Sequence, residues 1–301
     1  MEKRRGIAVE IYEFRPAKVF VLLDKISLAM LDGSCREGVT VEPLGRRLLV
    51  EKCGSSTVIL KDPQEGYVFP VNLDVALRLA KRERDIVVAG PDGVIGRAEV
   101  WSGQRFYKLA YVPLGEATIE LDGIHMHRVS GATPLRDAAA KVRLVVRKGS
   151  RVLDVCTGLG YTAVASTRRG ARLVYTVELD ENILALGMLN PRSWDLANPK
   201  IRLVRGDALD VIPELEREAF DTVIHDPPRF TGETSPLYSL ELYLEFYRVL
   251  RRGGRLFHYT GEPGRLRGRN LPGRVASLLR EAGFKVLGYK REALGIIAIK
   301  A

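Results

Sequence analysis

The sequence predicts an α/β protein: a doubly wound sheet of seven strands, the last antiparallel, preceded by a small β-rich domain. Three observations carry this. From residue 131 onward, apolar strand-like runs alternate with helical ones, the grammar of parallel strands joined by crossover helices. The last two runs, "FKVLGYK" and "ALGIIAIK", are separated only by "RE", and a link that short joins antiparallel neighbours. Before residue 131, short apolar runs broken by Gly and Pro dominate, as in β-rich folds. The domains are therefore drawn as 1–130, a β-rich α+β domain, and 131–301, the doubly wound domain.

In the first domain the strand candidates are "IAVEIYEF", "VFVLL", "RLLVEK", "TVILKD", "DIVVAG", "GRAEVW" and "RFYKLAYV". One helix is expected over 72–85, where Leu73, Ala76, Leu77 and Ala80 recur at helical spacing. Residues 117–129 read as a hairpin turning at Asp122-Gly123. His125 and His127 share a strand face there, but with no further ligand nearby no metal site is expected. The second domain opens with a helix over 133–146, Thr133 being placed to cap it before Pro134. Strands "RVLDVC", "LVYTVEL", "IRLVRGD", "FDTVIHD" and "GRLFHYT" follow, alternating with helices that include 238–252 and 273–283.

Composition narrows the classes. The chain has 301 residues, 46% of them hydrophobic, and no apolar run reaches the ~18 residues of a membrane span. No signal-like apolar segment opens the chain. The three cysteines, Cys35, Cys53 and Cys156, lack CxxC spacing, which argues against a disulfide framework or zinc site and for a reducing cytoplasm. Only two Gln and five Asn occur beside 28% charged residues, a thermophile-like economy in labile amides. Residues 1–130 hold 19 Lys/Arg against 18 Asp/Glu, and residues 131–301 hold 28 against 19. The basic excess thus lies in the second domain and points to a polyanionic partner.

The chemistry-bearing motifs also lie there. "VLDVCTGLGYTA" is strand, Gly-rich turn, then helix, with Asp154, Cys156, Thr157, Gly158, Gly160 and Tyr161 in it. Such a turn lets the backbone approach a ligand at the carboxyl edge of a sheet. Glu178 and Leu179 end the second strand, Asp207 and Ala208 the third, and "HDPPRF" (225–230) the fourth. Together these resemble the motifs of class I S-adenosylmethionine-dependent methyltransferases, with Cys156 standing where that family has its first glycine. The resemblance covers about 131–301 and implies a Rossmann-like fold. It also implies S-adenosylmethionine as cofactor, bound by Asp154, Cys156, Thr157, Gly158, Gly160, Tyr161, Glu178, Leu179, Asp207, Ala208 and Asp226.

Asp226-Pro227-Pro228-Arg229-Phe230 resembles the Asp/Asn-Pro-Pro-aromatic motif of methyltransferases that act on a nitrogen of a base or amide, Arg229 displacing the aromatic by one place. An exocyclic amine is a poor nucleophile whose two N–H groups need acceptors. The resemblance gives those roles to Asp226 and a proline-fixed carbonyl of Pro227-Pro228, with Phe230 stacking on an unstacked base. Asp-Pro-Pro-Arg also resembles the motif of RNA C5-pyrimidine methyltransferases, which need a cysteine nucleophile; no cysteine follows Asp226. Arg265, Arg267, Arg269 and Arg274, in "GEPGRLRGRNLPGR", face one acid, Glu262, and suit RNA phosphates. The whole resembles archaeal methyltransferases of RNA or DNA with an N-terminal extension. The expectation is a cytoplasmic RNA N-methyltransferase without metal. The alternatives are a polyamine aminopropyltransferase and a small-molecule or protein methyltransferase.

Overall fold

A computed structural model describes residues 10–261 and 270–301. Of the described residues, those of Met1–Glu13, Leu135–Glu181 and Leu196–Ala301 form one compact unit, and those of Phe14–Pro134 and Asn182–Asp195 form another. Two segments thus lie across the boundary drawn at residue 130. The bridge Ile11↔Val204 attaches the first of them to the seven-stranded sheet. No helix among the described residues is long and apolar enough to cross a membrane.

The β-rich unit contains one three-stranded and two four-stranded antiparallel sheets. Thr57–Lys61 alternates half-buried and buried residues, the period-two pattern of a strand with one face on a core. That core gathers Leu23, Leu28, Val50, Leu60, Phe69 and Val87. The 117–129 hairpin turns at Asp122 and Gly123, with φ of 51° and 80°; two left-handed residues in a row match the right-handed strand twist.

Three expectations for this unit are corrected. A second helix, Lys25–Ser34, is present; the Asp24 carboxylate caps it by accepting from the Ile26 and Ser27 amides. The helix expected over 72–85 is Leu73–Leu79, because the charged run that follows offers no apolar face to bury. Cys35 and Cys53 form a disulfide across a Cα separation of 6.0 Å. Spacing along the chain cannot reveal that pair, because folding brings the end of one helix beside the end of a strand.

In the sheet unit the elements run α1 (Pro134–Val145), β1 (Arg151–Val155), α2 (Tyr161–Arg168), β2 (Leu173–Glu178), β3 (Ile201–Arg205) and α3 (Ala208–Val211). Then come β4 (Phe220–His225), α4 (Leu240–Val249), β5 (Leu250–Tyr259), α5 (Leu271–Glu281), β6 (Lys285–Lys290) and β7 (Gly295–Ile299). The sheet order is β3-β2-β1-β4-β5-β7-β6. Strands β1 to β5 pair in parallel, and β7 runs antiparallel to both β5 and β6. The helix expected over 238–252 ends at Val249, where β5 begins. The core between sheet and helices holds Leu153, Val223, Phe246, Leu256, Val275 and Leu279. Because the first five strands are parallel, their carboxyl ends share one edge, and the motif residues meet there.

Candidate active site

The Gly-rich turn leaves β1 at Val155 and enters α2 at Tyr161. Gly158 and Gly160 adopt φ of 55° and 77°, a region that side chains rarely tolerate. A Cβ on Gly160 would also lie 2.5 Å from Leu196. Cys156 occupies the same left-handed region, φ 69°, so the position that departs from the family motif retains a glycine conformation. We expect Cys156→Gly to fold with stability within about 1 kcal/mol of the parent, strain relief offsetting added chain entropy. Cys156→Val should lose roughly 2 kcal/mol or more, because a β-branched side chain is disfavoured at positive φ. Denaturant titration compares them.

Hydroxyl and carboxylate contacts hold this turn. Thr157 and Thr176 hydroxyls lie 2.6 Å apart, and Thr176 donates to Asp154 Oδ2 at 2.8 Å. Asp154 is fully buried, so its carboxylate braces the turn from within the sheet rather than facing the edge. Burial pushes its carboxyl up to about 7, against the Thr176 and Thr162 hydroxyls. Between pH 4 and 7 the folded chain therefore keeps a proton that the unfolded chain has released. Stability from this group is fully present at acid pH and is lost as pH rises through 7. Relative to Asp154→Asn, the parent should lose stability across that window, by at most about 1.4 kcal/mol per pH unit. Identical pH slopes in thermal melts of the two proteins would refute this role.

Glu178, the last residue of β2, is buried. Its Oε2 accepts from the Gly158 amide at 2.8 Å, and its Oε1 from the Leu179 and Asp180 amides at 3.0 Å each. Burial raises its pKa and these amides oppose that. Glu178 thereby ties the turn to the neighbouring strand end, and Leu179 beside it is exposed. Asp207 caps α3, accepting from the Leu209 amide at 2.9 Å, with Ala208 buried behind it. A glycine turn flanked by acids on adjacent strand ends is a donor and acceptor set that fits S-adenosylmethionine. Thr157 and Tyr161 are buried and support the turn.

Asp226 follows β4 directly, its amide donating to the Val155 carbonyl at 3.2 Å. Its Oδ2 accepts from Lys141 Nζ at 2.6 Å, and the same Nζ lies 2.7 Å from Asp137. Lys141 is buried on α1, and its ammonium lies 4.5 Å from the centre of the Tyr259 ring. Burial pushes the lysine pKa down, but Asp226 and Asp137 reverse this and hold it above its ordinary value. Lys141 therefore stays charged and fixes one oxygen of Asp226. Sequence reading did not single out Lys141; its only trace is the Asp137-Lys141 pair, one helical turn apart.

The rest of the motif is stapled from the opposite side. Tyr238 Oη donates to the Pro228 carbonyl at 2.6 Å, and His225 Nε2 lies 2.8 Å from the Leu237 carbonyl. His225 is fully buried, its ring 4.6 Å from that of His258, and burial lowers its pKa to about 4. It is a neutral core residue. Pro227 is buried, while Pro228 and Arg229 are exposed. No described residue donates to the Pro227 carbonyl or to Asp226 Oδ1. Phe230 packs edge-to-face on Tyr238 at 5.2 Å, and the Arg274 guanidinium lies 5.3 Å from its ring centre. Arg265, Arg267 and Arg269 lie outside the described residues.

Among the described residues no group of three or more His, Cys, Asp or Glu could hold a metal ion. His125 instead meets Glu120, 2.8 Å away. Burial raises the Cys156 pKa well above its ordinary value, with Glu178 and Asp226 adding to this. It therefore stays a thiol rather than a nucleophilic thiolate.

A protein of Methanocaldococcus jannaschii, "Uncharacterized protein MJ1233", is 45% identical over 232 residues, covering 76% of this chain and 78% of its own. The chain belongs to that protein's family. Residues 138–253 match the family model described as "Conserved hypothetical protein 95". "Ribosomal RNA large subunit methyltransferase I" of Photobacterium profundum is 26% identical over 184 residues, 58% of this chain but only 46% of that relative. The solved spermidine synthase of Thermotoga maritima shares the fold at a TM-score of 0.52 and 17% identity, over 67% of this chain and 72% of that one. With these relatives the edge geometry describes an S-adenosylmethionine-dependent methyltransferase.

Proposed function

We propose that this enzyme methylates an exocyclic nitrogen of a base in RNA. The observation that carries the proposal is the pair of acceptors at the end of β4. Asp226 has one oxygen fixed by Lys141 and the other without a described partner, beside a Pro227 carbonyl that accepts from no described residue. An exocyclic amine has two N–H groups and a lone pair drawn into its ring. Two rigid acceptors hold those hydrogens and turn the lone pair toward the methyl donor.

S-adenosylmethionine, held by the Gly158–Gly160 turn with Glu178, Leu179, Asp207 and Ala208, supplies an electrophilic methyl group. Thr157, Asp154, Cys156 and Tyr161 support that turn. Asp226, already the acceptor of one N–H, is placed to take the proton that nitrogen sheds after the new N–C bond forms. Phe230 offers a ring for the extracted base, and Arg229, Arg265, Arg267, Arg269 and Arg274 offer charge to its phosphates.

Three further points support RNA and nitrogen. The relative from Photobacterium is named for ribosomal RNA, and the second half of the chain carries the basic excess. The free cysteine remains a thiol and the other two are paired, which disfavours attack on a pyrimidine ring. A polyamine substrate would need uncompensated acids, whereas here Asp226 is matched by Lys141 and Arg274 covers Phe230.

The test incubates the purified protein with isotopically labelled S-adenosylmethionine and total RNA from a strain lacking the gene, followed by nucleoside mass spectrometry. Label in an N-methylated cytidine, adenosine or guanosine is the expected result. Label at a ring carbon would overturn the nitrogen assignment. No label in RNA, with the cofactor bound, would overturn the RNA reading.

A further inference from the structure

The opposite edge of the same sheet is also built for an anion. Where the parallel strands begin, a cavity of about 330 Å³ opens among the turn before β1, the residue before β2, and the starts of β4 and β5. Its charged lining is Arg147, Lys148, Arg172, Arg251 and Arg255 against the single acid Asp221. Asp221 is already engaged, by Arg251 and by the Arg151 amide.

Three of the five cations have no side-chain partner among the described residues: Arg147, Lys148 and Arg172, all exposed at the cavity mouth. Arg255 lies deeper. One of its terminal nitrogens donates to the Leu144 carbonyl at 3.3 Å, while its Nε is sealed from solvent and has no partner. A buried N–H of a charged group left unpaired is costly and points to a ligand or ion. Three separate chain segments thus bring five cations to one concavity that holds a single acid, and that acid answers only Arg251 among them. A cleft lined by one sign of charge focuses the field and draws in a polyanion, which offsets the mutual repulsion of these cations.

We infer that this cavity holds backbone phosphates of the RNA substrate, as a docking site distinct from the site at the carboxyl edge. The inference rests on the RNA reading above and deepens it. β1 has five residues, so at about 3.3 Å per residue the two edges lie roughly 17 Å apart. A single nucleotide cannot engage both. The substrate is then a folded RNA large enough to reach around the domain, with its target base at Asp226 and its backbone gripped at the far edge. Arginine forks and a lysine suit phosphate oxygens and read no sequence there.

The test replaces the three unpartnered cations together, R147S/K148S/R172S, which removes no side-chain hydrogen bond or ion pair among the described residues. Binding of RNA from the deletion strain is measured over a range of KCl concentrations, for the intact RNA and for hexanucleotide fragments of it. The intact RNA should lose at least about tenfold in affinity, its log–log salt slope becoming shallower by about 2 to 3 as fewer counterions are released. Hexanucleotide binding, which draws on the same backbone phosphates, should weaken as well, while S-adenosylmethionine affinity should stay within threefold. An unchanged salt slope, in a parent that binds and methylates RNA, would overturn the cavity assignment alone. So would loss of inorganic-phosphate binding, read by calorimetry, without any change in RNA binding, since the cavity would then serve a free anion. A parent that neither retains nor methylates RNA would overturn both readings.

Discussion

Asp226→Ala should lower methyl transfer by about 10³-fold or more, while the affinity for S-adenosylmethionine stays within a few-fold. The two effects separate because the carboxylate acts on the acceptor amine, and the cofactor turn is braced by other groups. Glu178 holds the Gly158 amide, and the Thr157–Thr176–Asp154 contacts join the turn to β1 and β2. Asp226→Asn is the sharper variant. It keeps one oxygen acceptor for an N–H but gives up the charge that pairs with Lys141, and it cannot take a proton. We expect it to retain a small fraction of the rate, above alanine and well below the parent. Single-turnover assays together with equilibrium cofactor binding measure both quantities. Activity near the parental level in the alanine variant would remove Asp226 from the mechanism.

Lys141→Met should be the most destabilising single change in the site. It leaves Asp137, which is buried, and Asp226 facing each other without the cation that bridges them at 2.7 and 2.6 Å. Breaking a buried ionic contact by removing one partner costs about 3–5 kcal/mol, which in a chain of this size lowers Tm by roughly 5–8 °C. The paired variant Lys141→Met/Asp137→Asn removes the second carboxylate and should recover part of that stability. It should not recover the transfer rate, because Asp226 would still lack the contact that fixes it. Recovery of rate along with stability would reduce Lys141 to a packing role. A positioning role instead predicts a loss in kcat larger than any change in KM in a variant that is folded at the assay temperature.

The parts of the site legible in the sequence share one property: each sits at a strand end. A parallel sheet delivers all its carboxyl ends to one edge, so the alternation of strands and helices gathers the ends that carry Glu178, Asp207 and Asp226, while their expected roles came from the family resemblance. The turn glycines were legible for a related reason, since a left-handed backbone is a local demand that glycine meets most readily. The same local logic placed the Asp122-Gly123 turn and the antiparallel β7.

What only the tertiary structure decided are the groups that meet from distant positions. Lys141 stands 85 residues before Asp226 and belongs to a helix that looks like any amphipathic one. Cys35 and Cys53 carry no spacing signal, yet folding brings their Cα atoms to 6.0 Å. The direction of Asp154, into the sheet rather than out to the edge, depends on the Thr176 hydroxyl of the neighbouring strand. The cations of the far-edge cavity come from three separate segments, two of them turns and one the start of β5, each in isolation ordinary charged surface. Propensity, period and turn chemistry act over a few residues and are written in order along the chain. Charge pairing and burial act through space, and their partners are chosen by how the layers pack.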